Sequence, residues 1–391
     1  MRILILTFYY KPDLSACSFR AAALSQALMK QYRGKLHIDV FTTLPNRYHS
    51  FDATAPLDET IGNIHIKRFK IPKHKSGMFD QAKAFLSFSF QVVRAFRRNQ
   101  YDIIFATSSR LMTAMLGAIL ARYSSTPLYL DIRDIFTETM QNLLNGHPLR
   151  LVIPLLKKIE LFTLRSAVKV NVVSRGFLEY FQKIVPKQHF SIFTNGIDDE
   201  FIGISYNNPE KNPVPIILYA GNIGEGQGLH HVLPEAAKHL KDKAEFLLVG
   251  DGGARYQLEK ILEEKKIKNI KIKNPIPRTS LIKLYSRADF LFLHLNDHRA
   301  FHKVLPSKIF EYAATGKPIL AGVDGYARSF ILSHIENAFV FEPCNPMGLV
   351  EGFKNLQPRI VSRNDFIHRF SRKRIMLEMA KDILNCVSEL P

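Results

Sequence analysis

Cysteine is scarce: Cys17, Cys344 and Cys386 are the three in 391 residues, far apart and without close histidine spacing. Neither a disulfide framework nor a structural zinc site is supported, and a reducing, cytoplasmic setting is expected. Long apolar runs are missing as well. No segment reaches about 18 consecutive apolar residues, so no membrane span is expected. The opening residues, Met1 to Phe8, give way to Lys11-Pro12 without a small-residue cleavage site, which reads as a buried strand and not as a secretory signal. Internal repeats and low-complexity tracts do not stand out. Acid is in deficit: 35 Asp and Glu stand against 54 Lys and Arg, a formal charge of +19. Such a balance implies an anionic partner, whether nucleic acid, phospholipid or a phosphate-bearing substrate.

The 46% hydrophobic content is that of a globular protein, and 391 residues suggest two domains. Short apolar runs alternate with helical patterns: 2–7 then 20–30, 38–42, 64–69 then 81–97, 103–106 then 111–123, and 128–130. The alternation restarts at Ile216 with a glycine-rich turn and continues through 246–249, 270–272, 290–294 and 318–321. This is the signature of βαβ units around parallel sheets. A proline- and asparagine-rich stretch, 206–215, reads as a linker. The expected domains are therefore 1–205, 206–364 and a terminal helix over 365–391.

Two segments carry chemistry. Gly221-Asn222-Ile223-Gly224-Glu225-Gly226-Gln227-Gly228 follows an expected strand and opens a helix, so its amides and the helix dipole suit a diphosphate. A plain strand-to-helix turn has the same composition. The second segment, His302-Lys303-Val304-Leu305-Pro306-Ser307-Lys308-Ile309-Phe310-Glu311, reads as a polar loop entering a helix with Ser307 as its cap, stopped at Gly316. Lys308 would add charge for an anion, and Glu311 could accept two ribose hydroxyls. A capped helix with solvated charges is the alternative. Asp131, Arg133, Asp134 and Glu138 cluster beyond another expected strand; they suit proton transfer to or from an acceptor hydroxyl, or simple pairing and helix capping.

The glycine loop and the 302–319 segment together resemble glycosyltransferase family 4, retaining transferases of GT-B fold. The variant with Gln227, Lys303, Pro306-Ser307-Lys308, Glu311-Tyr312 and Gly316-Lys317-Pro318 is similar to the subgroup that builds bacterial O-antigen, capsule and related surface glycans, including N-acetyl-fucosamine transferases. Tyr9-Tyr10-Lys11-Pro12, Ser18-Phe19-Arg20, Asp131-Ile132-Arg133-Asp134, Val173-Ser174-Arg175-Gly176 and Asn195-Gly196-Ile197-Asp198 extend the resemblance over nearly the whole chain. It implies two doubly wound Rossmann-like domains facing across a cleft, with a C-terminal helix returning to the N-terminal domain. The implied donor is a UDP-sugar. Gly221, Asn222, Gly224, Gln227, Gly228, Leu305, Pro306, Ser307 and Lys308 would hold its diphosphate, Glu311 its ribose, Ile276 its base, and His302 and Lys303 its sugar. Ser15, Arg20, Arg133 and Ser174 would take the acceptor, a lipid-diphosphate-linked or oligosaccharide chain, with Asp131, Asp134, Glu138, Lys303 and Glu311 as the candidate catalytic residues. No metal or cofactor is implied.

Two departures from the family pattern stand out. Asp13-Leu14-Ser15-Ala16 occupies the place of first-loop glycines, and Lys303 replaces the first of two glutamates, which hints at a donor sugar deoxygenated or substituted there. UDP-sugar epimerases share the fold and form the nearest alternative; a basic polyanion-binding protein is a more distant one.

From Lys67 to Arg98 there are nine basic residues and one acid, interleaved with Phe69, Phe79, Phe85, Phe88, Phe90 and Phe96. This combination, and the apolar stretch 149–164 with Lys157, Lys158 and Arg165, suits peripheral docking on an anionic inner-leaflet membrane surface. The same phenylalanines could instead pack on the sheet. No nucleic-acid module is recognisable, and no nucleic-acid partner is expected.

Overall fold

The computed structural model describes residues 1–47, 53–72, 78–98, 100–108, 111–144, 148–207 and 212–388. Residues 73–77 of the basic segment, 208–211 of the expected linker and the side chain of Phe79 lie outside what is described. The chain forms two compact units, one of Met1–Arg47, Ala53–Asn195 and Arg372–Pro391, the other built on Gly196–Ser371.

Among the described residues, the first unit holds eight strands: β1 (Arg2–Leu6), β2 (His37–Thr43), β3 (Asp58–Ile61), β4 (Ile64–Phe69), β5 (Ile103–Ser108), β6 (Leu128–Ile132), β7 (Lys169–Val172) and β8 (Phe190–Ser191). Their order is β3-β4-β2-β1-β5-β6-β7-β8, and every pair except antiparallel β3–β4 is parallel. The strand order reverses at β1 and β5, the doubly wound arrangement that places ligand sites beyond the strand C-termini. The apolar runs became strands because both faces are covered: Ile3, Leu4, Ile5 and Leu6 are all fully buried.

The second unit holds β9 (Ile216–Ala220), β10 (Glu245–Val249), β11 (Ile270–Lys273), β12 (Phe290–His294), β13 (Ile319–Gly322) and β14 (Ala338–Phe341), ordered β11-β10-β9-β12-β13-β14 and wholly parallel. Its core joins Tyr219, Leu233, Phe246, Leu248, Phe292 and Leu349. The fold class is GT-B, two α/β units, one on a sheet parallel but for its β3 edge and one on a wholly parallel sheet.

The unit boundary falls at Asn195/Gly196 rather than near residue 205. Residues 196–206 are fastened to the second unit: the Ile197 amide donates to the Phe370 carbonyl, Phe201 and Tyr206 are buried, and the Tyr206 hydroxyl donates to the Phe201 carbonyl. Even beyond them the chain is tied down, since Asn212 donates to Arg287 and Asp289.

The expected terminal helix is two helices. Asn364–Arg369 belongs to the second unit, where Phe366 and Phe370 pack tilted against Phe310 and edge-on against Phe330. Arg372–Ser388 packs on the first unit against the helix Ala16–Gln31, burying Ile375, Met376, Met379 and Ile383. Its Asp382 accepts from Tyr129, Ser191 and Lys169.

At the centre of the first unit Arg20 and Asp131 form a buried bidentate pair, Nε to Oδ2 at 2.9 Å and Nη2 to Oδ1 at 3.0 Å. Arg20 also donates to the Thr194 and Phe193 carbonyls, and Asn171 donates to Asp131 at 2.7 Å. Burial alone would raise the Asp131 carboxyl; the Arg20 and Arg133 charges and the Arg20 and Asn171 hydrogen bonds outweigh it and hold the group below its ordinary range.

Truncating one member strands the other charge in a dry interior. Arg20→Ala should cost about 3–5 kcal/mol in urea unfolding, and the double variant Arg20→Met/Asp131→Leu should recover much of that loss. Equal losses in the single and double variants would show that the pair's charges are not what makes the site sensitive.

Candidate functional site

The pairing just described corrects two assignments. Arg20 and Asp131 brace the first unit and are not available to an acceptor, because their polar atoms are spent on each other and on backbone. Ser15 caps the first helix by accepting from the Ser18 amide, and Ser174 caps the turn Arg175–Phe177 by accepting from the Gly176 amide. Arg133 donates from its guanidinium to Asn195 and from its amide to the Ser108 hydroxyl. Asp134, just before the helix Phe136–Leu143, keeps a distinct character, its carboxyl pushed up by burial to about 6. Glu138 sits in the first turn of that helix.

Asp13, the first residue of the departure noted in the first loop, joins this end of the sheet. Asp13 is buried and its Oδ1 accepts from the Asn46 and Arg47 amides, while burial raises the group to about 6. The first loop is therefore stiffened by the Asp13 side chain.

In the second unit, β9 ends at the glycine loop, and the loop is shaped by contact with its neighbour strand. A Cβ placed on Gly250, after β10, would fall 1.8 Å from the Gly221 carbonyl oxygen, so the backbones meet directly. Gly228, at φ +57, then turns the chain into the helix Leu229–His239. Gln227 does not reach outward in place of a base. Its Oε1 accepts from Asn222 Nδ2 at 2.7 Å and from the Gly224 amide at 3.3 Å, bracing the loop from within.

Beside this loop stands a charged cluster. Lys308 Cε lies 3.6 Å from where a Gly221 Cβ would be, and its Nζ donates to Glu311 Oε2 at 2.8 Å. Tyr285 donates to the same oxygen at 3.1 Å. Glu311 Oε1 has no such donor among the described residues; Arg278 approaches it to 3.7 Å. Arg278 donates to Asp198 at 2.6 Å, pairs with Glu200 and lies over the Phe201 ring. Tyr312, one residue on, accepts from the Ala220 amide and so fixes this helix to the end of β9.

The other expected donor residues fall close in sequence to these and have varied settings. Ser307 is not a helix cap: it adopts helical φ and ψ of −61 and −28, its side chain makes no capping hydrogen bond, and the helix Lys308–Ala314 starts directly after it. Leu305 is buried, the Pro306 carbonyl accepts from the Ile309 amide, and His302 and Lys303 belong to a tight turn where His302 meets Asp297 at 3.0 Å. Ile276 is half-buried between β11 and the helix Arg278–Arg287.

Three groups that sequence reasoning missed organise the site: Arg278, Tyr285 and His294. His294, at the end of β12, accepts at Nε2 from the Cys344 amide (2.9 Å), so its Nδ1 carries the proton and donates to the Gln227 carbonyl (2.6 Å). It is buried beneath the loop, and burial presses its pKa down to about 4.

Residues 204–367 match the family model described as Glycosyl transferases group 1. Over 253 residues the chain is 28% identical to WcaI of Escherichia coli (strain K12), a protein named for colanic acid biosynthesis as a glycosyl transferase; the match covers 61% of each chain. The chain thus spans about three fifths of that relative's length. Among solved structures, sucrose-phosphate synthase from Thermosynechococcus elongatus gives a TM-score of 0.80 at 15% identity over 100% of both chains. Anabaena Alr3699/HepE in complex with UDP and glucose gives 0.66 at 17% identity, again over 100% of both. WaaG, a glycosyltransferase involved in lipopolysaccharide biosynthesis, gives 0.59 at 12%, covering 97% of this chain and 95% of that one. These neighbours show the GT-B fold.

His294 gives the site a pH signature. Its folded pKa of about 4 lies below the ordinary 6.5, so its stability contribution is complete above pH 6.5 and is lost as pH falls towards 4. That amounts to about 3 kcal/mol over the window. Urea unfolding between pH 7 and 4.5 should show this slope in the native chain and a shallower one in His294→Asn; parallel slopes would refute it.

Proposed function

We propose that this protein is a retaining glycosyltransferase that moves a sugar, an N-acetylated hexosamine or deoxyhexosamine, from a UDP-sugar to a lipid-linked or oligosaccharide acceptor in bacterial surface-glycan synthesis. The observation that carries this reading is the Lys308–Glu311 cluster standing against the glycine loop at the C-terminal ends of a parallel sheet. Transfer of a sugar releases a nucleoside diphosphate, and stabilising that developing charge dominates the barrier. Lys308 supplies a cation, and the loop lets backbone amides come close. Glu311 Oε1, turned away from Lys308 and Tyr285, is the acceptor for ribose hydroxyls. That HepE, which shares the fold, was solved in complex with UDP and glucose supports a uridine nucleotide.

Asp134 is the acid we assign to the acceptor side, since a carboxyl titrating near 6 is suited to taking a hydroxyl proton at neutral pH. Transfer should therefore decline as pH falls below 6.

The first unit also presents apolar surface in a basic setting, which supports peripheral membrane docking. Phe69, Phe85 and Phe88 are core residues, and Phe96 stacks on Tyr101. On the same helix, Met78–Ala95, Leu86 (67% exposed), Phe90 (70%) and Val93 point outward at i, i+4 and i+7. Neighbouring helices add exposed Ile119, Tyr123, Leu151 and Leu155. Lys83, Arg94, Arg97, Arg98, Lys157 and Lys158 are exposed among them.

In a thermal-shift panel of UDP, GDP, ADP and CMP, UDP alone should raise the melting temperature. Glu311→Gln should weaken UDP binding by roughly tenfold or more, as expected for a lost hydrogen bond to a charged group. No response to any nucleotide would overturn the donor site and favour a polyanion-binding protein; sugar conversion without transfer to a lipid acceptor would favour an epimerase. Flotation with phosphatidylserine vesicles checks the docking face: the native chain should float, and Leu86→Asp/Phe90→Asp should stay in solution. Equal flotation of both would exclude this face.

A further inference from the structure

Apart from the Lys308–Glu311 cluster, the glycine loop has a second group of chemically capable side chains. Glu225 begins the turn Glu225–Gln227, and His230 and His231 lie in the first turn of the helix that follows. One carboxylate oxygen and two imidazole nitrogens, one atom from each residue, all lie within 4.8 Å of one another. His230 Nε2 is 3.7 Å from Glu225 Oε2, and His231 Nε2 is 3.8 Å from Oε1, both longer than a hydrogen bond.

His230 supplies an independent observation. Its ring is buried, yet Nδ1 has no hydrogen-bond partner among the described residues and Nε2 stops short of the carboxylate. The nitrogen that faces Glu225 is Nε2, and a neutral imidazole with its proton on Nδ1 presents a free lone pair there, 3.7 Å from the carboxylate, which is the arrangement a cation between the two would engage. The His231 ring lies alongside, centroids 4.0 Å apart, so both rings face the same carboxylate.

We propose that Glu225, His230 and His231 bind one divalent transition-metal ion of the zinc class. Two imidazoles and a carboxylate suit zinc, nickel or copper and are a poor set for magnesium or calcium, which prefer oxygen throughout. Zinc–ligand distances near 2.0–2.2 Å need the three atoms to draw together by about an ångström. The exposed ends of Glu225 and His231 can move that far, while buried His230 stays fixed. Three protein ligands leave a fourth position for water. The ion does no sugar chemistry: it clamps the 225–227 turn to the helix and so stiffens the glycine loop braced by Gln227.

The test uses the untagged full chain without donor or acceptor, titrating zinc chloride against a chromogenic chelator. The native chain and His37→Ala, altered at an exposed position on the first sheet, should each retain one equivalent. His231→Ala and Glu225→Gln, both surface changes, should each weaken zinc binding roughly tenfold or more. Magnesium chloride in excess should not compete. Native-like affinity in either variant, less than one equivalent on the native chain, or displacement by magnesium would overturn the proposal. Because no sugar nucleotide is present, failure here leaves the transferase reading intact, and failure of UDP binding leaves this one intact.

Discussion

One guanidinium organises the first unit. Arg20 reaches the Asp131 carboxylate on β6, the carbonyls of Phe193 and Thr194 beyond β8, and the sulfur of Met379 on the terminal helix. These partners are distant in the chain and close in space, so each fixes the others' positions. A neutral side chain of similar volume would fill the space but would leave carbonyls and a carboxylate unsatisfied, and the penalty for that exceeds the modest worth of the bonds themselves. The dense polarity at the C-terminal end of this sheet is therefore scaffolding first. Asp134, just beyond β6, stands apart from that scaffold, its carboxyl pKa raised by burial to about 6.

The second unit solves a different problem. It brings the glycine loop into direct backbone contact with its neighbour strand and sets beside it side chains whose charges are already paired. Lys308 and Arg278 meet Glu311 and Asp198, so the region is held in shape before any ligand arrives. Gln227 and His294 act on the same loop from inside, one through an amide oxygen and the other through a neutral imidazole fixed by the Cys344 amide. Such preorganisation is what a site needs if charge is to develop without the surroundings having to move.

Most parallel strands were legible because buried strands are short apolar runs, and Ile64–Phe69 and Phe290–His294 match their runs end to end, but β7, β8 and β14 were not among the runs read. Nor was strand β3, since Asp58 and Glu59 give an edge strand no apolar pattern to read. The glycine loop and the helix at Lys308 were found by type and spacing. The partners that give them meaning were not: Arg278 precedes Glu311 by 33 positions, and the His294 tautomer depends on the amide of Cys344, a residue at φ +57. Asp131 and Arg20 were visible as residues but not as a pair, because a separation of 111 positions leaves no local trace. The capping role of Ser307 failed for a simpler reason: its backbone is already helical.

The helix Arg372–Ser388 completes the first unit's core, and its Asp382 gathers donors from Tyr129, Ser191 and Lys169. A ribosome delivers the rest of that unit long before it delivers this helix. During synthesis the early half must wait, with the groove meant for Met376, Met379 and Ile383 open to solvent, while the whole of the second unit emerges. The closing piece of the first-made unit is thus a late-made segment, and the N-terminal half reaches its final packing only after its neighbour has been synthesised.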